Sequence, residues 1–403
     1  MKRKPVALTA LVILLACNDA SAQSDAIRGV RAYREAHEVK IVQELVDFLS
    51  LPNIAYQSDL QPNIVALQEM MERRGIATRV LDTPGLPYVY GELNVPGARR
   101  TVLFYAHYDG QPVDPSRWNG HEPFEPVLRD GSLEAGGNII DWPSDHRFDP
   151  EWRIYARSAS DDKSPIIALL TALDGLRATG RQPTANLKFI FEGDEEAGSR
   201  HLGYAVEEHG DLLAADLVVC ADGPTDPSGL PTLYFGARGI VSAEITVYGP
   251  LRPLHSGHYG NWAPNPAMRL AQLLAGMKDP ETGRVRVAGF YDDVVPLSDF
   301  ELAAIAAAPN DDAEQMRTFA IAATEMDGQR LLVINQPSLN VRGMRSAWVG
   351  DEARTVVPDV AVADIDLRLV KDIDPQEQVE RLIAHIEKQG YRVVREEPDA
   401  QMR

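Results

Sequence analysis

The run Leu187–Ser199, L-K-F-I-F-E-G-D-E-E-A-G-S, limits what this chain can fold into more than any other stretch. Its first half is apolar and β-favouring, a short run that suits a buried strand. Its second half sets Glu192, Asp194, Glu195 and Glu196 around Gly193. Carboxylates this crowded repel one another. Beside a core they are tolerated when they flare into water, favour the dipole of a following helix, or surround a cation. Taken alone, the helix-start reading is the commoner one. Glu195 and Glu196 offer something more, because one carboxylate can hold an ion while its neighbour moves a proton.

Three other places repeat the arrangement. The strand R-T-V-L-F-Y-A runs into His107-Tyr108-Asp109-Gly110. Residues i and i+2 of a strand share a face, so Asp109 can fix the tautomer of His107, although a lone His-x-Asp pair is more often structural. The segment Ile154–Ser160 leads to Asp161-Asp162-Lys163 and an apolar helix over Ile166–Leu176. Asp161 can reach two cations with its two oxygens, while the competing reading makes Asp161 and Asp162 helix caps. A strand over Ala215–Ala221 then delivers Asp222-Gly223-Pro224. Four exits at the same edge of one sheet predict a metal site. Carboxylates mixed with imidazole suit zinc, manganese or cobalt, and a bridging carboxylate suits a pair of ions.

The remaining periodicity places these exits in a fold. Helices are predicted over Ile27–Leu49 and Asn63–Arg74, then strands over Ala77–Leu81, Tyr88–Leu93 and Arg100–Ala106. Strands and helices alternate to about residue 222, the pattern of an α/β domain with a largely parallel sheet and its chemistry at the carboxyl ends of strands. The polar, Gly- and Asp-rich stretch Asp130–Trp152 reads as an inserted loop, with His146 on the surface. From Gly239 the order becomes β-α-β: Ile240–Tyr248, helix Asn265–Met277, strands near Ser338–Val341 and Val362–Val370, helix Pro375–Lys388 and strand Tyr391–Arg395. A chain of 403 residues accommodates two such domains.

The first residues are a targeting signal by pattern: Lys2-Arg3-Lys4, an apolar run from Ala7 to Ala16, and the small-residue exit Ala20-Ser21-Ala22. The run is too short to span a bilayer. Cleavage after Ala22 is the favoured reading, and Leu14-Leu15-Ala16-Cys17 is a competing lipoprotein box that would leave Cys17 lipidated. Export to the periplasm or medium follows in either case. Loss of residues 1–22 takes the formal charge from −19 to −21, which repels nucleic acid and anionic membranes and leaves small substrates as partners. Cys17 and Cys220 are the only cysteines, so no disulfide forms within the mature chain, and Cys220 reads as core.

The series Y-A-H-Y-D-G, S-D-D-K-S, F-E-G-D-E-E-A-G-S, A-D-G and P-L-H-S-G-H-Y-G closely resembles the dinuclear zinc peptidases and amidases that include carnosinase, glutamate carboxypeptidase, aminoacylase and succinyl-diaminopimelate desuccinylase. The resemblance runs from about residue 30 to the C-terminus and is nearest the carnosinase-like dipeptidases. It implies a mixed-sheet catalytic domain with an inserted α/β sandwich lid that dimerises, here residues 23–237 and 238–399. It implies two divalent cations, zinc first and manganese or cobalt as alternatives. His107 and Asp222 would hold opposite ions, Asp161 would bridge them, and Glu196 would complete one. Glu195 would be the general base and Asp109 the clamp on His107. His255, in L-H-S-G-H, would polarise the scissile carbonyl in a partner subunit, and Thr355 and Arg368 would contact the substrate carboxylate; an ordinary ion pair is the equal alternative for Arg368.

Two departures accompany the resemblance. Ser164 stands where the family has Gly. The family's last catalytic segment, with its late histidine ligand, is expected to be absent, because His385, the one late histidine, falls inside an amphipathic helix. The implied activity is hydrolysis of the amide bond of a dipeptide or short peptide with a free carboxylate. The alternatives are deacylation of N-acyl amino acids and a catalytically silent binding protein.

Overall fold

The computed structural model describes residues 7–118, 120–144, 147–223, 232–234 and 236–403, with side chains from residue 25 onward; His146 and Pro224 lie outside the described residues. The chain forms two compact units, Met1–Pro224 and Thr225–Arg403.

The first unit begins with helices α1 (Ala7–Leu49) and α2 (Gln61–Glu72), followed by strands β1 (Ala77–Leu81), β2 (Tyr88–Leu93) and β3 (Thr101–His107). Short strands β4 (Val127–Arg129), β5 (Ile139–Ile140) and β6 (Arg153–Tyr155) precede α3 (Lys163–Ala178). Then come β7 (Asn186–Glu192), α4 (Leu202–Glu208), α5 (Gly210–Leu213) and β8 (Leu217–Cys220). The main sheet has the order β1-β2-β7-β3-β8. It is mixed: β3 runs parallel to both β7 and β8, while β1-β2 and β2-β7 are antiparallel. The apolar continuity of β7 reflects burial on both faces. Phe189 and Phe191 join Leu67, Met71, Ile166 and Leu170 on one side, and Ile190 joins Tyr88, Tyr90 and Leu103 on the other. Each such side chain contributes about 1.5–3 kcal/mol by leaving water.

Three expectations are corrected here. The stretch around Asp130–Trp152 is more than a loop, because β4 pairs with β5 and β6 in a separate three-stranded sheet. Asp161 therefore follows a strand of that small sheet, so three exits of the main sheet, rather than four, converge. Cys220 is exposed rather than core, because β8 is the edge strand and Leu217 and Val218 are themselves more than half exposed.

The start of α3 is fixed by Lys163, which is fully buried. Its Nζ donates to the Phe48 carbonyl at 2.7 Å and the Leu51 carbonyl at 3.0 Å, at the end of α1. Carbonyls at a helix C-terminus lack intrahelical donors and carry the negative end of the dipole, so they are suited to a cation. Burial still pulls the Lys163 pKa well below its ordinary value. Further along, Gly175 lets α3 approach α1: a Cβ there would stand 3.0 Å from Val30 Cγ1 and 3.3 Å from its Cα.

The second unit contains β9 (Gly239–Tyr248), β10 (Leu254–His255), α6 (Ser256–Tyr259), α7 (Pro266–Met277), α8 (Asp299–Ala307), α9 (Asp312–Thr318) and α10 (Arg330–Val333). It ends with β11 (Ser338–Arg345), β12 (Val356–Val357), β13 (Val360–Leu369) and α11 (Pro375–Lys388). The antiparallel sheet β11-β13-β9 turns Leu339, Ile365 and Leu367 into one core with Leu270 and Leu273 of α7 and Leu382 and Ile386 of α11. Asp374 caps α11 by accepting from the Glu377 N–H at 2.9 Å, and Pro375 supplies its first turn. Helices α8, α9 and α10 bury no residue and so leave no apolar stripe in the sequence. Tyr391–Arg395 pairs with no strand among the described residues, contrary to expectation. Tyr391 and Val393 pack on the core, and the Tyr391 hydroxyl donates to the Arg269 carbonyl at 3.0 Å. Among the described residues no helix is long and apolar enough to cross a membrane.

Candidate metal centre

Parallel pairing of β3 with β7 puts His107 opposite Glu192 and carries both strands to the same sheet edge. His107 and Asp109 are completely buried. His107 Nδ1 lies 3.2 Å from Asp109 Oδ1. The same carboxylate accepts the backbone N–H of Glu195 at 3.2 Å and of Glu196 at 3.0 Å, so it also fixes the turn after β7. On its other side His107 Nε2 meets Asp161 Oδ1 at 2.8 Å, and Glu195 Oε2 and Asp222 Oδ2 at 3.9 Å each. The structure thus brings His107, Asp109, Asp161, Glu195 and Asp222 together. Glu196 stands beside them on its turn, its Oε2 accepting from Gln111 Nε2 at 2.5 Å.

Asp162 belongs to this group, although its sequence context reads only as a helix cap. It occupies the N-cap position of α3, yet its side chain caps nothing there. Its Oδ2 instead accepts the His107 backbone N–H at 3.0 Å. His107, Asp162 and Asp222 each offer a ligand atom, all within 4.8 Å of one another. That spread suits donors gathered around a cation site. The Asp-Asp doublet before an apolar helix is the one sequence signal for Asp162.

The electrostatics fit a cation. Burial alone would lower the His107 pKa, but Asp109, Asp162 and Glu195 outweigh it and push the imidazole up to about 10. Asp162 is pushed up to about 8 by burial, with Asp222 and Asp161 adding to it against the pull of His107. Burial likewise raises Glu195, Glu196 and Asp222, each further raised by neighbouring carboxylates. One imidazole amid this many carboxylates leaves an excess of negative charge. Oxygen donors with one nitrogen are the chemistry that a divalent ion would neutralise.

A second layer holds the turn. Glu192 Oε1 is 2.9 Å from the Tyr88 hydroxyl and its Oε2 accepts from Tyr105 at 2.7 Å. Asp194 is contacted by the hydroxyls of Tyr88 at 2.9 Å and Tyr56 at 3.0 Å, and by His201 Nδ1 at 2.8 Å. Gly193 fits between them because a Cβ would stand 2.6 Å from the Tyr108 hydroxyl and 2.8 Å from the Pro87 carbonyl. These tyrosines are far apart in sequence, and no spacing rule gathers them.

The other candidate residues lie in the second unit. Antiparallel pairing of β10 with β12 sets His255 opposite Val356, and the Ser256 N–H donates to the Thr355 carbonyl at 3.1 Å, so His255 and Thr355 are neighbours. The His255 ring is exposed and its Nδ1 accepts from the Gly257 N–H at 3.1 Å. Arg368 stands on β13, half-exposed, with Nε 3.3 Å from Asp366 Oδ2. His385 lies on α11, its Nε2 3.0 Å from Gln389 Nε2.

A mixed α/β sheet whose parallel strand ends deliver an imidazole and several carboxylates to one point presents the donor set of a divalent-metal site. Residues 103–389 match the model of peptidase family M20/M25/M40, and the chain belongs to that family. It is similar to the Beta-Ala-His dipeptidase of Homo sapiens, 26% identical over 377 residues covering 88% of this chain and 70% of that one. It is also similar to a Cys-Gly metallodipeptidase of Schizosaccharomyces pombe, 28% identical over 367 residues, 85% of this chain and 72% of that one. Among solved structures, an M20 family metallo-carboxypeptidase of Sulfolobus solfataricus superposes with a TM-score of 0.72 at 30% identity, covering 87% of this chain and 76% of that one. The chain is a peptidase of the metal-dependent, dipeptidase-related kind.

Proposed function

We propose that this chain hydrolyses the amide bond of dipeptides or short peptides bearing a free C-terminal carboxylate. The observation that carries the reading is the convergence of Asp161, Asp222 and Glu195 on His107 Nε2, with Asp109 behind Nδ1 and Asp162 on the His107 backbone N–H. His107, Asp161, Asp222 and Glu196 would hold the metal, with Asp162 close enough to join them. Two divalent ions, zinc first among them, when bound supply Lewis-acid polarisation of the scissile carbonyl and an acidified water. Asp109, beside Nδ1, would keep the imidazole turned with Nε2 toward Asp161, Glu195 and Asp222, where it could serve as a ligand. Glu195 takes the water proton on Oε2 and passes it to the leaving amine, and its raised pKa suits a base that must also give the proton back. His255 would polarise the carbonyl from a partner subunit, and Thr355 beside it, with Arg368, would receive the substrate carboxylate. The second unit would then act as lid and dimer interface, and the basic and apolar N-terminus would direct export, with Cys17 as an alternative lipid anchor.

The test is turnover of β-Ala-His and Cys-Gly against N-acetyl amino acids, with bound metal counted for the wild type and for Glu195→Gln. The variant should keep its metal and lose about 10²–10⁴ in kcat. Full activity in the variant removes Glu195 from the role. Turnover confined to N-acetyl substrates replaces the dipeptidase with a deacylase, and a chain that binds no metal and turns over neither set is a binding protein.

A further inference from the structure

The second unit carries a half-open cavity of about 570 Å³ that the proposed chemistry does not use. Its volume is in the range of small-molecule sites, roughly 300–1,000 Å³. The wall is mainly apolar, formed by Val285, Met316, Phe319, Ile321, Val333 and Ile334. Among its charged groups, Lys278 pairs with Glu325 at 2.6 Å, and Arg330 reaches Asp311 at 3.6 Å and Asp312 at 3.9 Å. Arg238 is different. Its Nη2 donates to the Gln336 carbonyl at 3.0 Å and the Ser338 hydroxyl at 2.9 Å, both neutral acceptors. Its Nε is buried with no acceptor, and no carboxylate among the described residues pairs with it. Burial lowers its pKa, and the nearby Arg368 guanidinium lowers it further against the attraction of Asp366.

Arg330 also has a buried Nε without an acceptor but lies near two carboxylates, whereas the Arg238 guanidinium meets only neutral acceptors at the cavity wall, so its charge is uncompensated and the site gains by accepting an anion. We infer that the cavity binds an amphipathic monoanion, an aliphatic or aryl-alkyl carboxylate, with its apolar body among Phe319, Ile321 and Val333 and its head on Arg238. The formal charge of −19 opposes indiscriminate anion adsorption, so uptake of a carboxylate reports a local cation.

Titration calorimetry with decanoate and with decanol, on the full chain, on Arg238→Gln and on Arg79→Gln in the first unit, tests this. One decanoate should bind per chain, at least tenfold more weakly to Arg238→Gln and unchanged in Arg79→Gln. Decanol should bind more weakly than decanoate, and equally to wild type and Arg238→Gln. Ala323→Trp, a substitution in the exposed part of the lining, keeps Arg238 but fills the cavity and should abolish uptake even if Arg238→Gln fails to fold. Absence of decanoate binding, equal affinity in Arg238→Gln, or full affinity in Ala323→Trp overturns the inference. Peptidase failure has no bearing on these outcomes.

Discussion

Removing one buried hydroxyl, in Tyr88→Phe, tests how the catalytic turn is held. Tyr88 is fully buried and its hydroxyl is 2.9 Å from both Glu192 Oε1 and Asp194 Oδ1. A phenol has one proton, so two contacts to carboxyl oxygens are both satisfied only if one carboxyl carries a proton of its own. Glu192 is the candidate: burial first, then its neighbour Asp194, pushes it up to about 7, whereas Asp194 is held below its ordinary value by His201, Tyr88 and Tyr56 against burial. The Tyr88 hydroxyl donates toward both carboxyl groups, and the proton that Glu192 keeps is shared directly with Asp194. Phenylalanine deletes one neutral and one charge-assisted hydrogen bond, about 0.5–1.5 and 1.5–3 kcal/mol, for a loss of about 2–4.5 kcal/mol. Urea titration of the metal-free protein measures it as a shift in midpoint at constant slope. A loss under about 0.5 kcal/mol with the slope unchanged would refute the shared-proton reasoning.

The remaining predictions test neighbouring parts. Because folded Glu192 keeps its proton between pH 4.5 and about 7 while the unfolded chain has shed it, its stability contribution is full below pH 4.5 and lost as pH rises through 7. Glu192→Gln should flatten that decline in metal-free melts, and an unaltered profile would assign the decline elsewhere. Arg74 pairs with Glu44 at 2.9 Å and Asp174 at 2.7 Å while nearly buried, so Arg74→Met should cost about 3–5 kcal/mol in chemical denaturation. Burial opposes but Arg74 prevails in lowering the Glu44 pKa, so this pairing supports the fold above Glu44's unfolded pKa and fades as pH falls through its folded value. Gly193→Ala must displace Tyr108 or the Pro87 carbonyl, which should cost about 1–3 kcal/mol and lower kcat through the adjacent Glu195. Chelation should abolish peptidase turnover, and zinc should restore it; turnover that survives exhaustive chelation contradicts a metal-dependent reaction.

Where elements are bounded by Pro, Gly or a capping residue, local pattern is enough: β1, β2 and α11 lie where the sequence places them. The shortest strands are not legible. β4, β5 and β6 have two or three residues each and exist only through pairings across the Asp130–Trp152 stretch, which no local pattern encodes. Burial fails at Cys220 because an apolar strand reads the same at a sheet edge as at its centre. In the site, clusters far apart in the chain can be matched to strand exits, since strand direction carries side chains to an edge. The partition of roles within Asp161-Asp162 depends on how α3 is seated by Lys163, whose carbonyl partners lie more than a hundred residues earlier in the chain.

Asp109 has consequences for how such a site can change. A single carboxylate faces the His107 ring and also accepts both amides of the Glu195–Glu196 turn. The orientation of the His107 ring and the course of the Glu195–Glu196 turn are therefore tied to one side chain. A substitution there disturbs both contacts at once, and no single change on either side restores the other.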